Sequence, residues 1–398
     1  MVDVLVDIIN KSDCCGCSAC ASVCVNRHIS MQPDEEGFLY PSAFGVNCKG
    51  CGACDKVCPI VGSNSKLPFQ QKAFVVNNKD EGVRRESTSG GAFTPIAQYI
   101  IEKGGVAFGA AFDDQLNVCH THVENAAGLQ KFRGSKYVQS DMGNSYKTTK
   151  DFLDDGRWVC FSGTPCQVEG LMCYLRKEYE NLYTVDLVCR AVPSPLVWKK
   201  YLAYIKEKHN SSKVVSVSFR DKSKYGYQYP NLLVETENNR YYSGVEADPY
   251  MRSFFEGVAV RPSCYQCRFK NRYRISDFTI WDCFFSERFD PKLDDNKGST
   301  CVLVHTRKGV GLFDEVKGSF CFKEVAADEI IKGMREMFHG ARHNERRESF
   351  FSDVNVLDEK ALFNKYFPSS LKSNTKRFIK IVLAKTNLYK RAKRLVKT

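Results

Sequence analysis

The sequences CCGCSACASVC at residues 14–24 and CKGCGACDKVCP at residues 48–59 decide the fold of the amino-terminal part of the chain. Both place four cysteines at the spacing C-x2-C-x2-C-x3-C, which is the bacterial iron–sulfur cluster spacing. One tight loop of this kind aims three thiolates at three irons of a cubane, and the fourth ligand comes from further away. The two runs therefore predict a small dicluster, ferredoxin-like domain over residues 1–62.

The fourth cysteine of each run ligates the other cluster in two-cluster ferredoxins. The first predicted 4Fe-4S cluster therefore takes Cys14, Cys17, Cys20 and Cys58, and the second takes Cys48, Cys51, Cys54 and Cys24. Cys15 is off the spacing and is interpreted as a bystander. The alternative is a pair of zinc sites, because CxxC pairs also suit tetrahedral zinc, although zinc knuckles do not usually need four cysteines so closely packed.

Composition limits the class of protein. The 398 residues are 43% hydrophobic and 26% charged, which is the balance of a globular protein of two or three domains. The nineteen cysteines are an odd number, and Met1–Asn10 has neither a basic region nor a small-residue cleavage site. We therefore expect a cytoplasmic protein with metal-ligating cysteines. No run of eighteen apolar residues occurs, so no membrane span is predicted.

The net charge of +12 is concentrated in the last segment of the chain. Ten Lys or Arg residues and no Asp or Glu lie between Leu371 and Thr398. Because the remaining chain is nearly balanced, we expect no nucleic-acid binding by the folded body. Residues 331–398 are predicted to be a helical, basic tail that either touches the inner face of the membrane peripherally or is a solvated terminus. Its apolar residues are Phe378, Ile379, Ile381, Val382, Leu383, Leu388, Leu395 and Val396.

Between the two ends, short apolar strands alternate with helical stretches, which predicts a mixed α/β body. A linker at Pro59–Ser65 precedes two predicted α/β domains, residues 70–150 and residues 151–330. We expect strands at Ala73–Val76, Val106–Phe112, Val118–Val123, Trp158–Phe161, Thr184–Cys189, Val214–Phe219 and Leu232–Glu237. We expect helices at Ala92–Glu102, at Leu196–Lys208, and from Pro165 to about Lys177 with Thr164 as its N-cap.

Four of the remaining cysteines stand out by position. Cys166 begins a predicted helix, Cys189 ends a predicted strand, and Cys264 and Cys267 form a CxxC. A helix N-terminus favours a thiolate and strand ends bring distant segments together, so these four predict a third 4Fe-4S site. Buried structural cysteines with a chance CxxC are the alternative. The others are interpreted as core residues: Cys119, Cys160, Cys173, Cys283, Cys301 and Cys321.

Two further segments have the composition of a cofactor site. Ser89, Gly90 and Gly91 precede a predicted helix, where backbone N–H groups and small side chains allow an anion to approach closely. The second segment, Gly134, Ser135, Lys136 and Tyr137, adds a cation and an aromatic ring that suit a planar ring system. Helix capping and a solvated lysine beside a core tyrosine are the alternative interpretations.

In combination these motifs resemble the family of coenzyme F-420 hydrogenase/dehydrogenase beta subunits, here behind a dicluster ferredoxin domain. The resemblance runs from residue 13 to about 310 through SGGAF at 89–93, GSKY at 134–137, GTPCQ at 163–167, DLVC at 186–189 and RPSCYQC at 261–267. It implies a mixed α/β flavin-binding body. It also implies that Cys166, Cys189, Cys264 and Cys267 hold a cluster near FAD, which the SGG and GSKY segments and Thr164 contact.

The resemblance implies an iron–sulfur flavoprotein oxidoreductase that moves electrons between 4Fe-4S clusters and an organic substrate or coenzyme, with a ferredoxin or another redox protein as partner. The alternative is a non-catalytic electron-relay subunit of a larger oxidoreductase. Trp281 and Ala191 stand where the family usually has glycine, and the bulk of Trp281 is expected to narrow the flavin or substrate pocket. No acid or base is assigned, and the substrate and electron donor stay open.

Overall fold

The computed structural model describes residues 10–43, 48, 50–62, 69–386, 388, 389 and 392. The strands in these residues are β1 Ile29–Pro33, β2 Leu39–Ala43, β3 Lys72–Asn78, β4 Val106–Phe112, β5 Val118–Val123, β6 Val159–Gly163, β7 Leu182–Leu187, β8 Val214–Asp221, β9 Asn231–Thr236, β10 Arg240–Ser243, β11 Phe278–Asp282, β12 Thr300–Val304 and β13 Phe320–Val325.

The helices in the same residues are α1 Ala19–Val23, α2 Ala53–Lys56, α3 Glu81–Glu86, α4 Phe93–Glu102, α5 Ser145–Asp154, α6 Pro165–Leu175, α7 Pro195–Lys208, α8 Pro249–Phe255, α9 Arg307–Val316, α10 Ala327–Ile331, α11 Arg335–Phe338, α12 Arg347–Val354, α13 Glu359–Tyr366 and α14 Leu371–Lys385. None of the helices in the described part of the chain combines the length and the apolar character that a bilayer crossing needs.

A mixed sheet of eight strands in the order β13-β3-β12-β11-β7-β6-β4-β5 forms the centre of the body. The four strands β4, β6, β7 and β11 are parallel neighbours. Antiparallel strands flank them, β5 on one side and β12, β3 and β13 on the other. The predicted mixed α/β body is thus confirmed. Strands from both predicted segments, 70–150 and 151–330, share this one sheet.

A second, three-stranded antiparallel sheet in the order β10-β9-β8 packs beside the large sheet. Aromatic residues from α7, α8, α13 and β8 form its core: Trp198, Tyr201, Phe219, Tyr250 and Phe363. This core fixes β8 so that its end reaches the carboxyl ends of the parallel strands, where ligands of open α/β sheets bind.

Several element boundaries agree with the sequence prediction. Strands β4 and β5 have the predicted bounds, and α6 begins at Pro165 behind Thr164. Helix α6 ends at Leu175, earlier than predicted, because Arg176 adopts a left-handed conformation with φ 57°. Strand β7 ends before Cys189, which therefore lies in the following loop. The interpretation of Cys321 as a core residue is wrong, since it is exposed on the outermost strand β13.

The cysteine-rich amino-terminal segment docks on the body through a buried arginine. Arg261 is fully buried, and its Nε and Nη1 donate to the carbonyl oxygens of Cys14 at 2.8 Å and Leu39 at 3.0 Å. Its guanidinium lies 4.0 Å from the centre of the Tyr40 ring. The predictions for residues 1–9, for the end of the linker and for Leu395 and Val396 fall outside the described residues.

Candidate functional site

The two cysteine runs fold locally in the same way. In each run the residues just before and just after the second cysteine have positive φ, namely Gly16 and Ser18 in the first run and Gly50 and Gly52 in the second. A short helix follows at once in both, α1 and α2. This backbone turns the first three cysteines of a run toward one side of a tight loop, which is the arrangement that the spacing requires.

The predicted ligands of the first cluster lie together around what we call the first cavity. It is lined by Cys14, Cys17, Cys20 and Cys58, and also by Cys15 and Cys54. Burial, with the neighbouring Cys14 and Cys58 sulfurs, raises the pKa of Cys20 to about 12. Thiolates in this surrounding need a cationic counterpart, so the donor set fits a metal cluster.

The predicted ligands of the second cluster are less enclosed in the described residues. Cys51 is exposed, and Cys24, Cys48 and Cys54 are half-buried. The Cys24 sulfur accepts a hydrogen bond from the His28 N–H at 3.2 Å, and Cys54 donates to Asp55 at 3.3 Å. Cys54 faces the first cavity, although the spacing assigns it to the second cluster.

Four cysteines from distant parts of the chain line a second space, which we call the middle cavity. These are Cys166, Cys189, Cys264 and Cys267, the predicted ligands of the third cluster. They come from the first turn of α6, the loop after β7 and a turn after α8. Burial and the nearby cysteines raise the pKa of Cys189 to about 12, although Lys270 and Arg274 oppose the shift.

No set of three or more His, Cys, Asp or Glu side chains in the described residues is placed to hold a single metal ion. A cubane distributes its four ligands over separate irons, so it asks for a wider arrangement than one ion does. Arg274 also lines the middle cavity, and its two buried Nη nitrogens have no hydrogen-bond partner among the described residues. Buried donors of this kind fit an anionic group among the four cysteines.

The predicted cofactor segments line a third space of about 490 Å³ at the carboxyl ends of the parallel strands, which we call the large cavity. This volume is within the range of small-molecule sites. All but one of the predicted contacts line it: Ser89, Gly91, Gly134, Ser135, Lys136, Tyr137 and Thr164. The two segments also contact each other, because the Ser135 N–H donates to the Thr88 hydroxyl at 2.7 Å.

Gly90 faces the sheet instead of the cavity. Its N–H donates to the Thr300 hydroxyl at 2.8 Å. A Cβ at this position would lie 2.5 Å from the Val76 carbonyl oxygen and 2.7 Å from the Thr300 nitrogen. The lack of a side chain at Gly90 therefore lets the Ser87–Gly91 loop pack closely on β3 and β12.

Lys136 holds its own loop together. Its Nζ donates to the carbonyl oxygens of Lys131 at 2.8 Å, Arg133 at 3.0 Å and Gly134 at 3.3 Å. Burial lowers the pKa of Lys136 to about 7. In this arrangement Lys136 fixes the conformation of the GSKY segment, and the neighbouring Tyr137 packs its ring against Phe254 with 4.8 Å between ring centres.

Arg220 is a cavity residue that sequence reasoning missed. It extends from β8 and pairs with both Asp282 oxygens at 3.2 and 3.3 Å, while its buried Nε has no partner within the described residues. Burial opposes its charge, but Asp282 together with Tyr137 and Tyr227 outweighs burial and raises the pKa of Arg220. The pairing joins strands of different sheets, so no local pattern in the sequence could indicate it.

His120 is a second missed residue of the large cavity. Its Nε2 lies 3.0 Å from the Ser162 carbonyl oxygen and its Nδ1 lies 2.9 Å from the Ser140 hydroxyl. Because a carbonyl only accepts, Nε2 carries the hydrogen and Ser140 donates to Nδ1. Burial lowers the pKa of His120 to about 4, so the ring is neutral at pH 7.

Trp281 and Ala191 lie at the edges of the large cavity. Trp281 is mostly enclosed in a core with Ala73, Cys301 and Leu303, so much of its side chain packs into that core. Ala191 belongs to the Cys189–Val192 loop, and this loop lines the middle cavity and the large cavity alike.

The three cavities are neighbours. Cys15 and Ile60 line both the first and the middle cavity, and the Cys189–Val192 loop lines both the middle and the large cavity. Cys15 forms part of the wall between two groups of cysteines, and its interpretation as a bystander and not a ligand stays a prediction. Burial and contacts with other cysteines raise its pKa, with Cys166 acting in the opposite direction.

Residues 156–329 match the family model for the carboxyl terminus of the coenzyme F420 hydrogenase/dehydrogenase beta subunit. The chain is 24% identical over 347 residues to the coenzyme F420-dependent sulfite reductase of Methanocaldococcus jannaschii, covering 84% of this chain and 50% of that protein. It is 25% identical over 198 residues to a subunit of the F(420)H(2) dehydrogenase of Methanosarcina mazei, covering 46% and 55%. The aligned chain thus spans about half the length of these two relatives.

A chain of the F420-reducing NiFe hydrogenase complex from Methanosarcina barkeri superposes with a TM-score of 0.44 at 15% identity, over 75% of this chain and 92% of that chain. The mixed sheet with cysteines gathered at its edge defines a class of cysteine-rich α/β proteins. Within that class, residues 156–329 match the coenzyme F420 hydrogenase/dehydrogenase beta-subunit family, and the chain is similar to members of F420-dependent enzymes over a longer range.

Proposed function

We propose that this chain is an iron–sulfur flavoprotein oxidoreductase that moves electrons between 4Fe-4S clusters and an organic substrate or coenzyme through FAD. The single observation that supports this most is that three cavities adjoin one another. Cysteines line the first two, and the predicted flavin contacts line the third. The shared walls support direct electron transfer between groups bound in neighbouring cavities. The residues 1–62 are the proposed ferredoxin-type domain.

The large cavity fits a flavin by its size and by its donors. Arg220 offers a buried cation with an unpaired Nε, and the Ser89–Gly91 loop offers small residues before α4. A bound flavin supplies the exchange between two-electron hydride chemistry and one-electron transfer. Lys136 and His120 keep the walls rigid through their hydrogen bonds to backbone and side-chain groups. A rigid wall positions a planar cofactor without reorganisation.

Anaerobic purification followed by iron, sulfide and flavin quantitation on one sample tests the proposal. We expect about twelve irons and one FAD per chain. About eight irons without flavin would instead support the alternative, an electron-relay subunit that docks on another oxidoreductase. Zinc without iron or acid-labile sulfide would contradict both.

We also propose that the chain is cytoplasmic and that α14 contacts an anionic membrane surface. The helix contains no acidic residue, and its exposed face carries Leu371, Phe378 and Ile379 beside lysines. Its inner face is held to the body by Lys380, which pairs with Glu246 at 2.6 Å. Such a face suits anionic lipid headgroups, to which each basic residue contributes about 1 kcal/mol.

Flotation with vesicles that contain phosphatidylglycerol tests this contact. The full chain should float, and a F378E/I379E variant should stay at the bottom of the gradient. A V215E variant is a matched control, because Val215 is an exposed apolar residue of β8 outside the helix. If the F378E/I379E variant floated as well as the V215E control, the contact would be ruled out.

A further inference from the structure

Arg274 has an unusual position for a cation. It is 7% exposed and lines the middle cavity beside the four cysteines. Its Nε donates to the Asn271 carbonyl oxygen at 2.7 Å, but Nη1 and Nη2 are buried without a hydrogen-bond partner in the part of the chain that the structure describes. A buried donor without a partner is costly, so the end of this guanidinium requires an acceptor.

Asp186 balances the charge of Arg274 without satisfying its donors. The Nη1 nitrogen lies 3.6 Å from Asp186 Oδ2, which is longer than a hydrogen bond. Asp186 itself accepts from the Thr279 hydroxyl at 2.6 Å through its other oxygen and lines the large cavity. The ion pair therefore crosses the wall between the middle and the large cavity, with the arginine on the side of the cysteines.

Lys270 lines the same cavity, but its ammonium group has hydrogen-bond acceptors within the protein. Its Nζ donates to the carbonyl oxygens of Cys189 and of Glu336, the latter at 2.8 Å. Lys270 therefore contributes charge, while two of its three N–H groups donate to backbone carbonyl oxygens. Of these two cations, Arg274 keeps more N–H groups for a ligand.

We propose that Arg274 donates Nη hydrogen bonds to the sulfurs of the third cluster and thereby raises the reduction potential of that cluster, with Asp186 holding the guanidinium in place. The inference rests on the proposed function, because it needs a cluster on Cys166, Cys189, Cys264 and Cys267. Four thiolates give a 4Fe-4S cluster a net negative charge, which grows on reduction. Donors and positive charge at its sulfurs therefore favour the reduced form.

An EPR-monitored redox titration of the full-length holoprotein tests the role of Arg274. The signal of the third cluster is identified as the one that a C264S variant lacks. In R274M we expect this signal to titrate at a more negative potential than in the wild type, and the shift should exceed that in K270M, which removes a charge whose hydrogen bonds go to backbone carbonyl oxygens. R274K should recover part of the shift by restoring the charge alone.

Other outcomes overturn the inference. An unchanged potential in R274M, or a shift no larger than in K270M, would mean that Arg274 acts at most as a distant charge. If R274M loses the cluster, the D186N/R274M double variant removes both buried charges together and is titrated in its place. A wild-type protein with about eight irons would overturn the proposed third cluster itself, and with it this inference.

Discussion

The first cavity and the middle cavity both gather four predicted cysteine ligands, but they are built in opposite ways. The first takes its ligands from two short runs whose loops and helices carry little core of their own. The middle cavity takes its ligands from segments that the large sheet and its helices already hold in place. We therefore expect the first site to need its proposed cluster in order to fold, and the middle site to be formed by a fold that is stable without one.

Cysteine substitutions should break the two sites with unequal effects. Cys20→Ser removes a ligand from the first cavity, so we expect loss of about four irons together with loss of hydrogen-exchange protection over residues 10–43. Cys264→Ser should also lose about four irons, but the body should keep its protection because the sheet holds it. Iron analysis and hydrogen-exchange mass spectrometry on the same samples measure both.

Cys321→Ser is the matched control for these two variants. Cys321 is exposed on β13, far along the chain from every predicted ligand, so iron content and exchange should both equal those of the wild type. If Cys264→Ser unfolds the body as widely as Cys20→Ser unfolds the amino-terminal unit, the contrast between the two sites is wrong.

Arg261 connects the amino-terminal segment to the body through its hydrogen bonds to Cys14 and Leu39, and we call this connection the Arg261 clamp. Removing it should give the next largest effect. Arg261→Met leaves the carbonyl oxygens of Cys14 and Leu39 without their donor, at a cost of roughly 1–3 kcal/mol for each group. We expect faster exchange over residues 10–43 and unchanged exchange in β4 and β6. Arg268→Met is the control, since Arg268 also bonds to the amino-terminal unit, at the Ile60 carbonyl oxygen, but is exposed. Equal exchange in the two variants would contradict the clamp.

His120 makes the stability of the body depend on pH. Its pKa is about 4 in the folded protein against about 6.5 in an unfolded chain, so below pH 6.5 the unfolded chain binds a proton that the folded one refuses. Stability should therefore fall as the pH drops from 6.5 to 4, by on the order of 3 kcal/mol from this group.

His120→Gln should reduce the fall in the free energy of unfolding between pH 6.5 and pH 4, whatever its effect on stability at pH 7. Urea unfolding of the body between pH 4 and 7, followed by tryptophan fluorescence, measures the slope. His339→Gln changes an exposed histidine and should leave the slope as it is. A slope in His120→Gln equal to that of the wild type would show that His120 does not titrate as the structure indicates.

The sequence revealed features that local spacing encodes and concealed those that depend on long-range approach. The bounds of β4 and β5 were predictable because a polar turn at Asp113 separates two apolar strands. The cysteine runs could be recognised because their spacing lies within a few neighbouring residues. The pair of Arg220 with Asp282 and the unpaired end of Arg274 arise only when distant strands meet, and Cys15 gains its place between two cavities only after docking.

The position of strand β3 in the sheet affects how the protein folds during synthesis. It begins at Lys72, yet its two neighbours are β12 and β13, which end at Val304 and Val325. A ribosome must therefore synthesise about two hundred and fifty further residues before β3 finds both partners, and its apolar surface needs protection during that time. Both cysteine runs precede the sheet in the chain and end at Cys58, so insertion of the proposed clusters can begin while the sheet is still unfinished.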